Sequence, residues 1–314
     1  MALGAAAPVV RRRLRLRART VLTATALAPV ALAVVLPPSR KRSVLITCAQ
    51  MWSYFAAYEM PADDADKQRS RVRIDYPIRS DKLLGLGRIP TVRLQHALHH
   101  PDRFQWWEKV LSWSHWVWFA VPHVAAAYIL VKRPDRFPRA AVQIYGTFDA
   151  GAFIYWAVPT APPWFAAEVG RIDIGDGPPL RRVMREYGEQ LWGDRWPQLY
   201  GAFSGNPLAA MPSLHFGTSV AAAQALADTG RVAGTIGWSY AATLGFALVY
   251  LGEHYVTDLI AGGGLALAIR RFSPLLAGPA GRFNDTLALL AAHAAATVVP
   301  AVPASPVAPV AVAS

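Results

Sequence analysis

The sequence predicts an all-α, polytopic membrane bundle of about six or seven crossing helices. Two observations predict the class. Hydrophobic residues fill 54% of the 314 positions, and they fall in blocks rather than evenly. These blocks run to about 16 to 20 residues, the length of helix that crosses the hydrocarbon core of a bilayer.

The charge pattern agrees. The net charge is +12. Much of it sits in Arg11, Arg12, Arg13, Arg15, Arg17, Arg19, Arg40, Lys41 and Arg42, which flank apolar segments. Orientation and anionic lipid headgroups account for such residues. No nucleic-acid recognition motif accompanies the charge, so DNA and RNA are excluded as partners. The single cysteine, Cys48, rules out an internal disulfide and a cysteine metal cage, and reads as inert packing.

Three regions follow in chain order. Residues 1–42 are a basic tail with a short apolar segment, 43–272 are the membrane-embedded bundle, and 273–314 are an Ala/Pro-rich tail. Residues 1–19 read as disordered. Thr20–Leu36 is apolar but short, with Pro29 inside; it crosses, re-enters or serves targeting, and the charge rule favours a segment that does not fully cross. Ser43–Met60 is a better helix. Pro61–Lys109 is polar and turn-rich. Ser112–Val131 is a span loaded with Trp113, Trp116 and Trp118, rings suited to the membrane–water boundary. Ala140–Val158 crosses again, followed by a long polar loop, Pro159–Met211. Ser213–Ala227, Val232–Leu251 and Tyr255–Ile269 are three closely spaced helices, and Thr286–Pro300 is a candidate for one more.

Two motifs open the last helices. Pro212-Ser213-Leu214-His215 starts one, and His254-Tyr255-Val256-Thr257-Asp258 starts another. The two helices between them form a hairpin with a tiny turn. Both motifs therefore lie on one face of the membrane, beside the loop 159–211. Imidazoles and carboxylates are costly in such segments, and a functional role is the default reading. His254 and Asp258 are four residues apart and share a helix face. The carboxylate can hold one ring nitrogen and leave the other as a nucleophile. His215, at a helix start that favours anions, is placed to protonate a leaving oxygen. Taken singly, each motif also fits a helix cap or a satisfied polar contact.

Sidedness follows from the basic turn 132–139 and from Arg270, Arg271 and Arg282, which lie on the face opposite the motifs. That face is cytoplasmic by the positive-inside rule, and the motifs are extracytoplasmic, in a plasma membrane.

These motifs resemble the second and third signatures of the type-2 phosphatidic acid phosphatase superfamily. The fit is closest to its branch containing inositol phosphorylceramide synthase. Pro159-Thr160-Ala161-Pro162-Pro163-Trp164 resembles the proline-rich loop of that branch. The resemblance implies a helical bundle, a phosphohistidine mechanism, a phospholipid or lipid-phosphate substrate and no metal or other cofactor. It implies His254 as nucleophile, Asp258 as its orienting group, His215 as general acid, and Ser213 as a phosphate-binding residue. The commoner phosphatase branch has an arginine six residues before the nucleophile. Here that position is Leu248, and no Lys…Arg-Pro first signature is found. Arg181, Arg182 and Arg185 are the candidates to supply the phosphate clamp, with Arg88 and Arg93 behind them.

Other polar residues read more plainly. Asp149 either lines a cavity or bonds a neighbouring helix. His96, His99 and His100 lack the carboxylates or cysteines of a metal site. His115 and His123 read as polar contacts within the aromatic span. Gly262-Gly263-Gly264 allows close helix packing. The rival to an enzyme is a non-catalytic lipid carrier or assembly subunit that keeps the fold. A transporter would need inverted repeats or broken helices in matching halves, and the sequence shows neither.

Overall fold

The computed structural model describes residues 2–276 except 101–102, 176 and 204, together with scattered positions between 282 and 292. Most of the candidate helix Thr286–Pro300 lies outside the described residues. Fifteen α-helices are seen among the described residues. They are α1 (Ala2–Val10), α2 (Ala18–Val35), α3 (Arg40–Glu59), α4 (Ala65–Arg71), α5 (Asp75–Leu84), α6 (Pro90–Leu98), α7 (Trp106–Trp116) and α8 (Ala120–Lys132), followed by α9 (Phe137–Ala157), α10 (Pro163–Glu168), α11 (Val183–Trp192), α12 (Trp196–Phe203), α13 (Leu214–Ala227), α14 (Arg231–Tyr250) and α15 (Val256–Phe272).

Helix α13 is the centre of the bundle, packed against α8, α9, α14 and α15. Its small residues make that possible. Ala221, Ala222, Ala223 and Ala225 are buried, and Gly237 of α14 sits against Ala223. Gly217 and Gly262 meet where α13 crosses α15: a Cβ on Gly217 would lie 2.8 Å from the Gly262 carbonyl oxygen, and one on Gly262 would overlap the Ser213 carbonyl. Small residues of this kind let helix backbones touch, as expected for the glycine triplet. The main apolar core joins Ile129, Ile144, Phe148, Leu214 and Val220.

Ser112–Val131 is not one straight span. It is α7 and α8, bent by 61° at the break. Pro122 lies in the first turn of α8, and a continuous helix would bring its ring against the carbonyl of Trp118. The break lets Trp118 turn inward, where its Nε1–H donates to Thr218 Oγ1 at 3.1 Å.

The arginine-rich tail is ordered, contrary to expectation. Arg11 donates through Nε to Asp63 (2.8 Å) and through Nη2 to Glu59 (3.0 Å), and this pairing fixes the chain. Helix α2 runs antiparallel to α3, with Thr25 against Ser53 and Ala33 against Arg42. By length and composition α2 can cross a membrane, which speaks against the non-crossing reading of Thr20–Leu36. Among the described residues, α2 and α14 meet the length and hydropathy of a span, and the bent α7–α8 pair makes up to three. The expected six or seven are not reached on those terms. Helix α13 has only 14 residues, α3 opens on Arg40, Lys41 and Arg42, and α9 carries Gln143 and Asp149. Cys48 is exposed on the outside of α3 rather than packed.

The loop 159–211 is likewise more ordered than its Pro/Gly content suggests. It holds α10, α11 and α12, and with α4, α5 and α6 it caps one end of the bundle. Thr160 ties this cap together through isolated parallel bridges to Arg73 and to Ala209.

Candidate active site

His254 and His215 meet at the capped end. The turn before α15 explains how. Gly252 has φ +82°, a left-handed conformation that suits glycine. It allows the N–H groups of both Glu253 and His254 to donate to the Leu248 carbonyl, at 3.1 and 3.0 Å. His254 is 3% exposed, and its Nδ1 lies 3.3 Å from Asp258 Oδ2. The same carboxylate oxygen accepts the Tyr255 N–H at 2.9 Å, which fixes its rotamer. With Nδ1–H directed to Asp258, Nε2 of His254 carries the lone pair, which accepts from His215 here and can attack once a substrate displaces that contact. His215 Nδ1 stands 3.0 Å from that Nε2. Asp258, His254 and His215 thus form one line.

The start of α13 is equally constrained. Ser213 is fully buried; its Oγ accepts the Phe216 N–H (3.2 Å), and its backbone N–H donates to the Asp258 carbonyl (2.9 Å). Ser213 is thus engaged as the helix cap and as the tie between α13 and α15. Tyr155 accepts the Leu214 N–H at 3.3 Å and donates to the Pro212 carbonyl at 2.7 Å. The His215 ring packs on Trp118 (4.1 Å between centroids) and on His115 (4.7 Å, nearly parallel at 26°).

Asp81 is a residue that sequence reasoning missed. It is fully buried on α5 and accepts from the N–H groups of Val256 (3.1 Å) and Thr257 (2.8 Å) and from Thr257 Oγ1 (2.7 Å). It therefore caps α15 from a distant segment and favours the positive end of that helix. Burial pushes its carboxyl up, while these donors hold it down. No local pattern announced this, because the partners are 175 and 176 positions apart.

The three candidate arginines separate. Arg185 is half-exposed and pairs with Glu189 one turn on. Arg181 is held by Glu186 and His99 over the Phe104 ring. Arg182 stacks 3.6 Å above the Trp164 ring, and the Trp164 backbone N–H donates to the Gly252 carbonyl at 3.1 Å. That places Arg182 against the turn that carries His254. Its Nη2 donates to Tyr200 Oη (2.6 Å), while its buried Nε has no partner among the described residues. Glu253 lies beside Arg182 and His254, and burial pushes its carboxyl up against the pull of both. Arg88 and Arg93 are exposed. Leu248 is fully buried where the phosphatase branch has arginine.

Other expected polar residues are placed as follows. His96 faces the Pro178 carbonyl, whereas His99 faces Arg181. Asp149 accepts from Gln50 Nε2 of α3 at 2.6 Å, the helix-to-helix bond of the two readings. His123 contacts Tyr145 Oη at 3.3 Å. His115 departs from expectation: neither ring nitrogen has a partner among the described residues.

The sequence profile of the PAP2 superfamily matches residues 78–272, more than half of the chain and the whole of this site. The chain belongs to the PAP2 superfamily. With its candidate spans, this PAP2 chain is an integral membrane protein. It is 27% identical over 175 residues to an inositol phosphorylceramide synthase of Candida albicans, covering 52% of this chain and 36% of that protein. It is 28% identical over 176 residues to the inositol phosphorylceramide synthase catalytic subunit of Schizosaccharomyces pombe, covering 51% and 39%. The chain thus matches little more than a third of the length of these relatives. No solved structure matches this PAP2 chain significantly.

Proposed function

We propose that this chain is a membrane enzyme that cleaves or transfers the phosphoryl group of a lipid phosphate ester through a phosphohistidine on His254. The observation that carries the reading is the line Asp258–His254–His215, with contacts of 3.3 and 3.0 Å. His254 Nε2 attacks phosphorus, and the bond from phosphorus to the departing alkoxide breaks. His215 gives that oxygen a proton. Asp258 holds the imidazole by Nδ1–H and stabilises the positive ring of the phosphohistidine. In the second half His215 takes the proton of the acceptor, whose oxygen attacks phosphorus and restores His254.

Water as acceptor makes the reaction hydrolysis; an alcohol makes it transfer. The likeness to two inositol phosphorylceramide synthases favours transfer of an inositol-phosphoryl group. Arg182 is the arginine to meet the phosphate, since its loop packs on the turn before His254. Ser213 joins it by way of its hydroxyl hydrogen, and Arg181 contributes positive field from behind. Helices α3, α9, α13 and α15 cross the plasma membrane beside α2, the α7–α8 pair and α14. The site is then extracytoplasmic, because the turn 132–139 and Arg270 lie at the other end.

One observation favours the second reading, a lipid carrier or assembly subunit without activity. Leu248 is buried and apolar where a phosphate-binding arginine stands in the phosphatase branch. Turnover of the purified protein on lipid phosphates and phospholipids, inositol phospholipid included, with and without inositol or a lipid alcohol as acceptor, separates the readings. Wild type releasing phosphate or forming an alcohol-dependent phosphorylated product, with His254→Ala inert, supports the enzyme. No turnover on any of them favours the carrier.

A further inference from the structure

We infer that His115 is a phosphoryl-oxygen ligand, a third imidazole at the site that supplies a donor in the absence of an arginine at position 248. The inference rests on the phosphohistidine reading and adds a residue that the sequence motifs do not contain.

Three observations carry it. First, position: His115 is the one histidine of α7, in its last turn, and its ring stacks on that of His215 at 4.7 Å and 26°. His215 in turn reaches His254 at 3.0 Å, so the three imidazoles are contiguous. Second, both ring nitrogens of His115 are shut off from solvent and without a partner among the described residues. Buried polar groups are otherwise paired, and an unpaired one is costly, so a group that stays unpaired at a reaction centre marks a place for a ligand atom. Third, the helix break makes the position: α7 ends at Trp116 and the chain turns by 61°, and His115 and Trp118, on either side of that break, both pack on the His215 ring. Trp118 satisfies its own N–H with Thr218, whereas His115 leaves both nitrogens uncommitted.

The ligand chemistry follows. The site must hold a tetrahedral anion whose nonbridging oxygens gain charge as His254 attacks. A ring N–H at this place donates to one of those oxygens, a charge-assisted bond stronger than a neutral one. The apolar Leu248 offers no donor, and the imidazole reaches the anion from the end of α7, which packs against the helix that Arg182 opens.

The test uses the full chain in detergent and orthovanadate, which adopts the five-coordinate geometry of phosphoryl transfer. Affinity is read by inhibition of turnover and by the vanadate-induced rise in unfolding temperature. His115→Phe keeps a flat ring on His215 but removes both nitrogens; His115→Gln returns a donor. We expect His115→Phe to weaken vanadate by about 10- to 100-fold, as for loss of a hydrogen bond to a charged group. His115→Gln should recover part of that loss, and both variants should unfold near the wild-type temperature without vanadate. Equal vanadate affinity in wild type and His115→Phe overturns the inference and leaves the phosphohistidine reading standing. Wild type that binds no vanadate overturns the reading itself, and the inference with it. A loss in His115→Phe that His115→Gln does not relieve at all assigns His115 to packing and overturns its role as donor.

Discussion

At the scale of the residue, the proposed mechanism divides the site into groups that react and groups that hold them. Asp258 belongs to the second kind: its Oδ2 is shared between His254 and the Tyr255 N–H. Asp258→Asn should fold and should lower turnover by about 10³- to 10⁴-fold, the size of effect when an orienting carboxylate is lost from a triad. Steady-state kinetics on the preferred lipid phosphate checks this, and a variant within tenfold of wild type would rule out the orienting role. His215→Ala should lose far more activity on an alkyl phosphate than on a p-nitrophenyl phosphodiester or monoester, whose leaving oxygen needs no proton. An equal loss on both would place His215 outside acid catalysis. The meeting of these side chains was legible in the sequence because the His-x-x-x-Asp spacing is one helical turn and both motifs open helices. Asp81 and His115 were not legible. Their significance comes from contacts across the fold, Asp81 with Val256 and Thr257, and His115 with His215. The arginines show the same limit: Arg181, Arg182 and Arg185 look alike in the chain, yet Glu186, Trp164 and Glu189, respectively, send them in three directions.

At the scale of the element, α15 is anchored at both ends. Asp81 caps its start, and removing that cap by Asp81→Ala should cost about 1–2 kcal/mol of stability, read from unfolding in detergent. An unchanged midpoint would show that water or Asp258 replaces the cap. At its other end Arg270 makes two bonds to Asp228, at 2.9 and 2.8 Å. That pairing holds the Asp228 carboxyl below its usual range, with the Arg270 hydrogen bond as the main cause. A depressed folded-state value adds stability above the unfolded value of about pH 4, and that stability is lost as pH falls towards the folded value. Asp228→Asn should therefore be less stable than wild type at pH 7, with the difference closing below about pH 4. A difference that persists at the acid end would contradict the linkage. Helix boundaries were partly legible. The closely spaced last three helices follow their apolar runs, whereas the break of α7 from α8 was hidden by an unbroken hydrophobic run with Pro122 inside. The short helices α10, α11 and α12 were hidden by the proline and glycine around them.

At the scale of the whole molecule, the question is which end faces which compartment. The site end holds the caps and, through Arg11 with Glu59 and Asp63, the basic tail; the other end holds the turn 132–139 and Asp228. Ion pairing at Glu59 and Asp63 offsets part of the tail's charge, so the tail argues less strongly for a cytoplasmic end than a count of arginines suggests. In a Cys48→Ser background, Arg171→Cys should react with a membrane-impermeant maleimide on intact cells, and Arg231→Cys should react only after permeabilisation. The reverse pattern would place the histidines in the cytoplasm. The all-helical class was legible from hydrophobic blocks, but the number of crossings was not, because α13 is short and α9 carries polar residues that face other helices.

The bridges at Thr160 have a further consequence. They stitch together three stretches of chain, around positions 73, 160 and 209, and the last leads within a few residues to Ser213 and His215. Insertions are normally absorbed by surface loops. Here a length change near any one of the three would pull on the other two and so on the root of α13. The stretches should therefore tolerate substitution far better than they tolerate gain or loss of a residue.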